Sequence, residues 1–275
     1  MKDMISCKDY VAIQKKELRD RVSTFERKPK LCVMQIGDNS ASDTYVRNKK
    51  KVCDDMGIKF EHIHIKDCEN TSQEDIVLML DTLNADFDVN GIIIQLPIPN
   101  KYNAEELQNC ISPQKDVDGF RKDSCFKPCT PKGIVDWLEV NDFNFNGKNA
   151  VVVGRSKIVG LPLVNMLIER GATVTCCNSK TKSLSRFIYN ADLVISAIGK
   201  AKYFDKFNFN GVGIVVDVGI NKDENDKLCG DVNPEGFENS LPNTYLTPVP
   251  NGVGKLTVLT LMKNVIEAYE LQNEK

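Results

Sequence analysis

Apolar residues follow a helical period in some stretches of this chain and collect into short continuous runs in others, and the two patterns alternate from end to end. Asp9 to about Phe25 reads as a helix and Leu31–Ile36 as a strand. A helix follows over about Ser42–Met56, then a strand over Lys59–Ile65. Thr71-Ser72-Gln73-Glu74 has the form of a capping box, in which a hydroxyl and an acidic side chain three residues on satisfy each other's backbone N–H groups, and it opens a further helix. The strand Gly91–Ile94 comes next. From Gln95 to Pro131 the pattern lapses into an irregular stretch rich in proline, cysteine and lysine. Thr130-Pro131 then offers an N-cap followed by proline at the first helical position, where its missing N–H has no helical partner to lose. The helix from Lys132 to about Val140 is expected to bridge two domains. Strands at Ala172–Cys177, Leu193–Ala197 and Ile214–Val218 fall in a unit from about Gly147 to Leu246, and a last helix runs from near Gly254 to about Leu271. Strands and helices that alternate in this way specify the α/β class with a mainly parallel sheet.

At 275 residues the chain is long for a single core, so two domains are expected. The pattern places residues 1–137 in an N-terminal α/β domain, to which the last helix, 255–275, returns, and 138–254 in a second, Rossmann-like domain. No repeat and no low-complexity linker interrupts them. A hydrophobic content of 41% beside 27% charged residues fits a soluble protein. A net charge of -2 argues against nucleic-acid or membrane-surface partners, which call for a basic face. No apolar run reaches membrane-spanning length, and Met1-Lys2-Asp3-Met4-Ile5 lacks a signal-peptide pattern. The ten cysteines show no C-x-x-C spacing and lie mostly inside apolar segments such as Leu31-Cys32-Val33. They read as small buried hydrophobes in a reducing cytoplasm. His62 and His64 alternate along a strand and share its wetter face; no metal site is expected.

The candidate chemistry starts at Val151-Val152-Val153-Gly154-Arg155-Ser156-Lys157-Ile158-Val159-Gly160. An apolar run, a glycine turn and a helix start form the place where a dinucleotide pyrophosphate docks, because helix N-terminal N–H groups attract anions and glycine allows close approach. Ser156 stands where G-x-G-x-x-G has its second glycine, so the match alone is weak. After the next strand comes Asn178-Ser179-Lys180-Thr181-Lys182 in place of the acid that holds the ribose of NAD. With Arg155 available, hydroxyls and cations there suit a 2′-phosphate. Ser42, Tyr45 and Lys49 share one helix face, and a tyrosine beside a lysine can transfer protons. Gln95, in Gln95-Leu96-Pro97-Ile98-Pro99, follows a strand at the edge where α/β sheets bind ligands. Lys115-Asp116-Val117-Asp118-Gly119-Phe120 sets two carboxylates beside a glycine turn, one of which turn geometry explains. Thr247-Pro248-Val249-Pro250-Asn251-Gly252-Val253-Gly254 is a rigid loop suited to form a shaped backbone wall. Taken singly, each has a plain structural explanation: a turn, a chance Tyr-x-x-x-Lys, a polar strand cap, solvated lysines.

Together, and in this order, Tyr45-Val46-Arg47-Asn48-Lys49, Gln95-Leu96-Pro97-Ile98-Pro99, Lys115–Phe120, Pro128-Cys129-Thr130-Pro131, Gly154-Arg155-Ser156 with Val159-Gly160, Asp217-Val218-Gly219-Ile220-Asn221, Gly230-Asp231-Val232 and Thr247–Pro250 resemble the bifunctional methylenetetrahydrofolate dehydrogenase/cyclohydrolase family over nearly the whole chain. The resemblance implies two reactions in one cleft between the domains. 5,10-Methylenetetrahydrofolate gives a hydride to NADP, and water then opens the resulting methenyl cation to 10-formyltetrahydrofolate. It implies Lys49 as the cyclohydrolase proton carrier, Gln95 as its orienting partner, Tyr45 against the aminobenzoyl ring and Asp118 on the pterin. It further implies Gly154, Arg155, Ser156, Ser179 and Ile220 at the cofactor, Pro250 and Gly252 at the substrate, no metal, and a cytoplasmic homodimer. Three positions depart from the family pattern: Asn178 stands for His, Asn251 for Gly and Lys255 for Pro. The Asn178 exchange bears on cofactor preference; asparagine at 251 tolerates left-handed backbone. The rivals are a dehydrogenase-only relative, a non-catalytic nucleotide-binding protein, and a short-chain dehydrogenase. The last has its Tyr-x-x-x-Lys after the glycine turn, whereas Tyr45 here precedes Gly154 by about a hundred residues.

Overall fold

The computed structural model describes residues 4–273, and the chain folds as two compact units. One comprises Ile13–Cys129 with Val258–Lys275; the other comprises Thr130–Thr257 with the N-terminal stretch up to Ala12. The elements in chain order are α1 (Cys7–Ser23), β1 (Lys30–Ile36), α2 (Ser40–Met56), β2 (Lys59–Ile65), α3 (Gln73–Ala85), β3 (Gly91–Gln95), α4 (Ala104–Asn109) and α5 (Cys129–Val140). They continue as β4 (Asn149–Val153), α6 (Gly160–Glu169), β5 (Thr173–Cys177), α7 (Ser185–Ile188), β6 (Leu193–Ser196), β7 (Ile214–Asp217), β8 (Asn221–Lys222), β9 (Leu228–Cys229), α8 (Phe237–Ser240), β10 (Tyr245–Leu246) and α9 (Val253–Asn273). The α/β class with parallel sheets is therefore as the sequence pattern implies.

The first unit is built on a three-stranded parallel sheet in the order β2-β1-β3. Its central strand is buried along almost its whole length, as continuous apolar runs in parallel sheets are. Cys32, Met34, Ile92 and Ile94 pack against Ile76 and Leu80 of α3 and Leu107 of α4. The N-terminus of α3 is capped one residue later than the sequence pattern places it. Ser72 Oγ accepts from Asp75 N at 3.1 Å while Asp75 Oδ2 accepts from Ser72 N at 2.8 Å. Thr71 instead donates its hydroxyl to the Asp67 carbonyl. At the other end of α3, the buried Lys115 ammonium donates to the carbonyls of Leu83, Asn84 and Asp86 at 3.1, 2.8 and 2.7 Å. It thereby satisfies acceptors that a helix C-terminus leaves without partners. The last helix supports the 117–119 segment in this unit: Asn264 Nδ2 donates to Val117 O at 2.8 Å.

The second unit has a five-stranded parallel sheet in the order β10-β7-β6-β4-β5. The chain starts at β4, moves outward to β5, then crosses to β6 and on to β7 and β10. The strand order thus reverses between β4 and β6, and the crevice at the carboxyl ends of those two strands is the topological switch point of a doubly wound sheet. The N-terminal stretch joins this unit, whereas the sequence pattern places residues 1–137 in the other domain with the boundary after 137. Trp137 Nε1 donates to Ile5 O at 2.9 Å, and Ile5 N donates to Asn141 Oδ1 at 2.6 Å. α5 begins at Cys129, so Thr130 lies inside the helix and its hydroxyl meets that of Thr257 at 2.9 Å. Pro131 still falls in the first turn, where its missing N–H costs no helical bond.

Candidate functional site

In the first unit the site residues gather around the carboxyl end of β3. α2 opens at Asn39, whose side chain accepts from Ser42 N at 3.0 Å, and this fixes the turn that precedes Tyr45 and Lys49. One turn beyond Tyr45, Lys49 Nζ donates to Gln95 Oε1 at 2.8 Å. Gln95 is the last residue of β3, and its Nε2 donates to the Leu96 carbonyl at 2.7 Å. That second bond sets the amide so that its oxygen faces the lysine. A helix and a strand 46 positions apart thus present one amine and one oriented amide.

Asp118 follows the buried Val117 in a turn that only glycine can close. Gly119 has φ +71, and a Cβ there would lie 2.6 Å from the Lys127 carbonyl carbon. Burial pushes the Asp118 carboxyl above the usual carboxylate range. The Lys49 charge opposes that shift and the Asp116 carboxylate adds to it; the neighbouring Cys129 thiol donates to Val117 O at 3.2 Å. The structure therefore brings Lys49 and Gln95 into contact and Asp118 into their electrostatic field. Tyr45 lies one turn before Lys49, 40% exposed. Ser42 on the same helix face buries its hydroxyl without a hydrogen-bond partner. Lys115 and Asp116 are structural: the first caps α3, and the Asp116 carboxylate accepts from Arg121 N at 2.9 Å. Cys129 is a neighbour of this site whose sequence signal is its place in the motif Pro128-Cys129-Thr130-Pro131.

In the second unit the glycine turn lies at the switch point. Gly154 has φ +126, and a Cβ there would stand 2.3 Å from Ala197 O in the loop after β6. A Cβ on Gly160, the first residue of α6, would stand 2.1 Å from Gly154 O. Both glycines are therefore demanded by backbone packing. Ser156 Oγ accepts from the N–H groups of Val159 and Gly160 at 3.2 and 3.3 Å and so orders the approach to the helix. Arg155 and Ser156 are exposed on this turn, and Ser179 is exposed after β5. Asn178 Oδ1 accepts from Lys180 N at 2.9 Å, so the residue that departs from the family pattern serves as a turn former. A compact glycine turn at a helix start, with an exposed arginine on the turn and an exposed serine after β5, fits a phosphorylated dinucleotide.

On the other side of the crevice, Ile220 is 48% exposed after β7. Its Cδ1 would lie 3.7 Å from a Cβ on Gly254. The loop before α9 is fixed by a cis Val249-Pro250 bond, by Asn251 at φ +79, and by Gly252, whose Cβ would meet Pro248 O at 2.2 Å. Asn251 adopts the left-handed geometry expected of a residue that replaces glycine. Lys255 is exposed on the first turn of α9. His62 and His64 stack at 5.3 Å on the edge strand β2, His62 Nε2 against Gln35 Oε1 and His64 Nε2 against Gly37 O. All ten cysteines are free thiols; six are buried, as the reading of most of them as small buried hydrophobes implies, while Cys68 and Cys110 are half-buried and Cys125 and Cys176 exposed.

Comparison with known proteins also divides the chain in two, with different bounds for the terminal helices. Residues 5–118 match the catalytic domain of tetrahydrofolate dehydrogenase/cyclohydrolase, and residues 128–273 match its NAD(P)-binding domain. A protein of Agathobacter rectalis named bifunctional protein FolD is 41% identical over 268 residues, covering 93% of this chain and 95% of its own. The crystal structure of the bifunctional enzyme FolD, methylenetetrahydrofolate dehydrogenase/cyclohydrolase, from Campylobacter jejuni superimposes with a TM-score of 0.91 at 38% identity, over 97% of this chain and 98% of that one. The Trypanosoma brucei enzyme, solved with NADP and an inhibitor, gives 0.90 at 28% identity over 99% and 98%. The chain belongs to the tetrahydrofolate dehydrogenase/cyclohydrolase family.

Proposed function

We propose that the chain oxidises 5,10-methylenetetrahydrofolate with NADP and hydrolyses the methenyl product to 10-formyltetrahydrofolate. The observation that carries this reading is the contact of Lys49 with Gln95 at the end of β3. An amine held by an oriented amide is suited to move a proton, and the hydrolysis needs one moved. Water oxygen bonds to the one-carbon unit while its proton passes to Lys49. Lys49 returns a proton to N5 as the bond from N5 to that carbon breaks, and the adduct's hydroxyl proton leaves to solvent as the formyl group forms. Gln95 keeps the amine in place throughout. Asp118 accepts from the adjacent N–H donors of the pterin, a charge-assisted contact. Tyr45, partly exposed, supplies an aromatic face for the aminobenzoyl ring.

NADP, when bound, accepts the hydride. Arg155 and Ser179 hold its 2′-phosphate, and the turn at Gly154 with Ser156 receives the pyrophosphate. Ile220, Pro250 and Gly252 shape the wall on the far side of the crevice. Hydride transfer needs alignment of two rings more than an acid or a base, which fits a second unit whose contribution is mostly backbone shape. We place the enzyme in the cytoplasm as a homodimer, with the unit built on residues 13–129 serving the folate and the unit built on 130–257 the cofactor. Steady-state kinetics of both activities, with NADP and with NAD, test the reading. It predicts both reactions and a preference for NADP; equal or better use of NAD, or absence of either reaction, overturns the corresponding part.

A further inference from the structure

Two aspartates lie deep at the carboxyl edge of the five-stranded sheet, and the reactions above give neither a role. Asp217 ends β7 and Asp231 follows β9; both are buried. Asp217 Oδ1 accepts from the N–H groups of Gly219 and Asp231, both at 2.9 Å, and its Oδ2 accepts from Val232 N at 2.8 Å. Asp231 Oδ2 accepts from Ser196 Oγ at 2.8 Å and Ile198 N at 2.9 Å, and its Oδ1 accepts from Lys200 N at 2.8 Å and Asn221 Nδ2 at 3.0 Å. These donors are all neutral, so the two charges are held by oriented dipoles. Glycine makes the approach possible. A Cβ on Gly230 would stand 1.9 Å from Asp217 Oδ2, and one on Gly219 would stand 2.4 Å from Asp231 Oδ1.

The pair forms a chain of support. Asp217 fixes the backbone of Asp231, and Asp231 ties the loop after β6 to the loop after β7. The first of these loops is the one that Gly154 packs against at Ala197, so it lines the switch point. Because the N–H groups of Ile198 and Lys200 both turn toward Asp231, Gly199 between them is left at φ +65. A Cβ there would meet nothing within 4 Å. The neighbouring loop offers Ile220, exposed directly before the Asn221 that Asp231 holds. A dinucleotide whose pyrophosphate lies at Gly154 and whose 2′-phosphate lies by β5 must extend its other half across β6 and β7, onto Gly199 and Ile220.

We propose that Asp231 is a positioning residue of the dinucleotide site, fixing through Ile198, Lys200 and Asn221 the two loops that receive the nicotinamide riboside half of the cofactor. The proposal rests on the NADP reading given above. Asp231→Asn turns one of the two acceptors into a donor, opposite donors that cannot move away. Asn221→Ala removes a single donor and leaves the carboxylate with three. For the wild type and both variants, the measurements are the Kd of NADPH and of 2′,5′-ADP, the kcat and KM for NADP, and the cofactor-independent hydrolysis of methenyltetrahydrofolate. Asp231→Asn is expected to weaken NADPH by about tenfold or more, as the loss of a charge-assisted contact does. Asn221→Ala is expected to weaken it by roughly threefold. Binding of 2′,5′-ADP, which has no nicotinamide half, and the hydrolysis rate are expected to stay within about twofold; such a split does not arise from a general loss of folded protein.

If Asp231→Asn does not fold, Asn221→Ala decides. Variants that bind NADPH like the wild type, or that lose 2′,5′-ADP and NADPH in parallel, overturn the positioning role. A wild type that neither binds NADPH nor reduces NADP overturns the NADP reading and this proposal with it.

Discussion

Replacing Lys49 by Met separates the two activities if the amine is the proton carrier. Methionine keeps the length and the apolar stem of the side chain, so α2 and its approach to β3 should persist. What disappears is the group 2.8 Å from Gln95 Oε1. General acid–base catalysis is typically worth about 100- to 10,000-fold, or roughly 3–5 kcal/mol of transition-state stabilisation. A second effect runs alongside it. Gln95 stays anchored by its own bond to the Leu96 carbonyl, so its oxygen cannot turn to a new donor and is left facing methionine. An acceptor left without a partner costs about 1–3 kcal/mol when buried, and less here because Lys49 lies partly in solvent. That cost appears in the melting temperature and not selectively in one reaction. Methenyltetrahydrofolate hydrolysis, corrected for its uncatalysed rate, should fall by two orders of magnitude or more, on the order of the acid–base contribution. NADP reduction should fall far less. Lys49→Arg should not rescue hydrolysis, because guanidinium does not give up a proton near neutral pH. Parallel loss of both activities would make Lys49 a positioning residue, and persistent hydrolysis would move the proton carrier elsewhere.

Arg155→Ala should raise the KM for NADP about ten- to hundredfold, the range of one charge-assisted contact, and leave that for NAD nearly unchanged; equal effects on both would refute its role at the 2′-phosphate. Asp118→Ala should weaken folate in both reactions with NADPH binding intact, and Asp118→Asn should do so too, since its amide sets a donor against the pterin donors; normal folate affinity in either would reduce Asp118 to a turn residue. Burial holds the Asp118 carboxyl above its usual range, and its ionised form is the acceptor. Folate affinity should therefore fall as pH drops through that raised pKa, above the ordinary value of about 3.9, whereas the Asn variant should show no such limb. Lys115→Met should lower unfolding free energy by roughly 2–3 kcal/mol in chemical denaturation, because it strips the three carbonyls at the end of α3 of their donor; an unchanged midpoint would show that water replaces it.

The parts of this structure that were legible in the sequence are those carried by period or by compact motifs. The bounds of Lys59–Ile65 are legible because its alternation of apolar and polar residues is closed by Gly57 on one side and Lys66-Asp67 on the other. α4 leaves no periodic trace: at six residues it is shorter than two turns, and its one mark is the Asn103 cap on Glu105 and Glu106. The box at α3 was read one residue early because two hydroxyls and two acids stand in overlapping frames, and only the backbone direction chooses Ser72 with Asp75. Lys49 and Gln95 could each be placed, on a helix face and at a strand end, but their contact could not, because it depends on how α2 packs on the sheet. Asp231 was visible only as part of a motif. Its partners lie up to 35 positions away, at the end of β6 and in the stretches that follow β6 and β7, and nothing local announces a carboxylate that joins two loops.

The placement of buried polar side chains accounts for why both units carry their chemistry at the same edge. Gln35 ends its run in β1, Gln95 ends β3, Ser196 ends β6 and Asp217 ends β7, and all are almost fully buried. The opposite ends of the strands carry residues such as Lys59 and Asn149, which reach solvent. A buried polar group without a partner costs about 1–3 kcal/mol, so such residues persist only where partners are supplied. At the carboxyl edge they are. Gln35 donates to Asp43 at the start of α2, Gln95 receives Lys49 from the same helix, Ser196 donates to Asp231, and Asp217 collects three backbone N–H groups. In each case the partner belongs to the loop or helix that follows a strand, the part of an α/β fold that faces a ligand. The same bonds that remove the penalty of burial therefore fix the position of the ligand-facing groups. Loosening one of them should damage function before it damages the fold, because the apolar strands behind them hold each sheet together without their help.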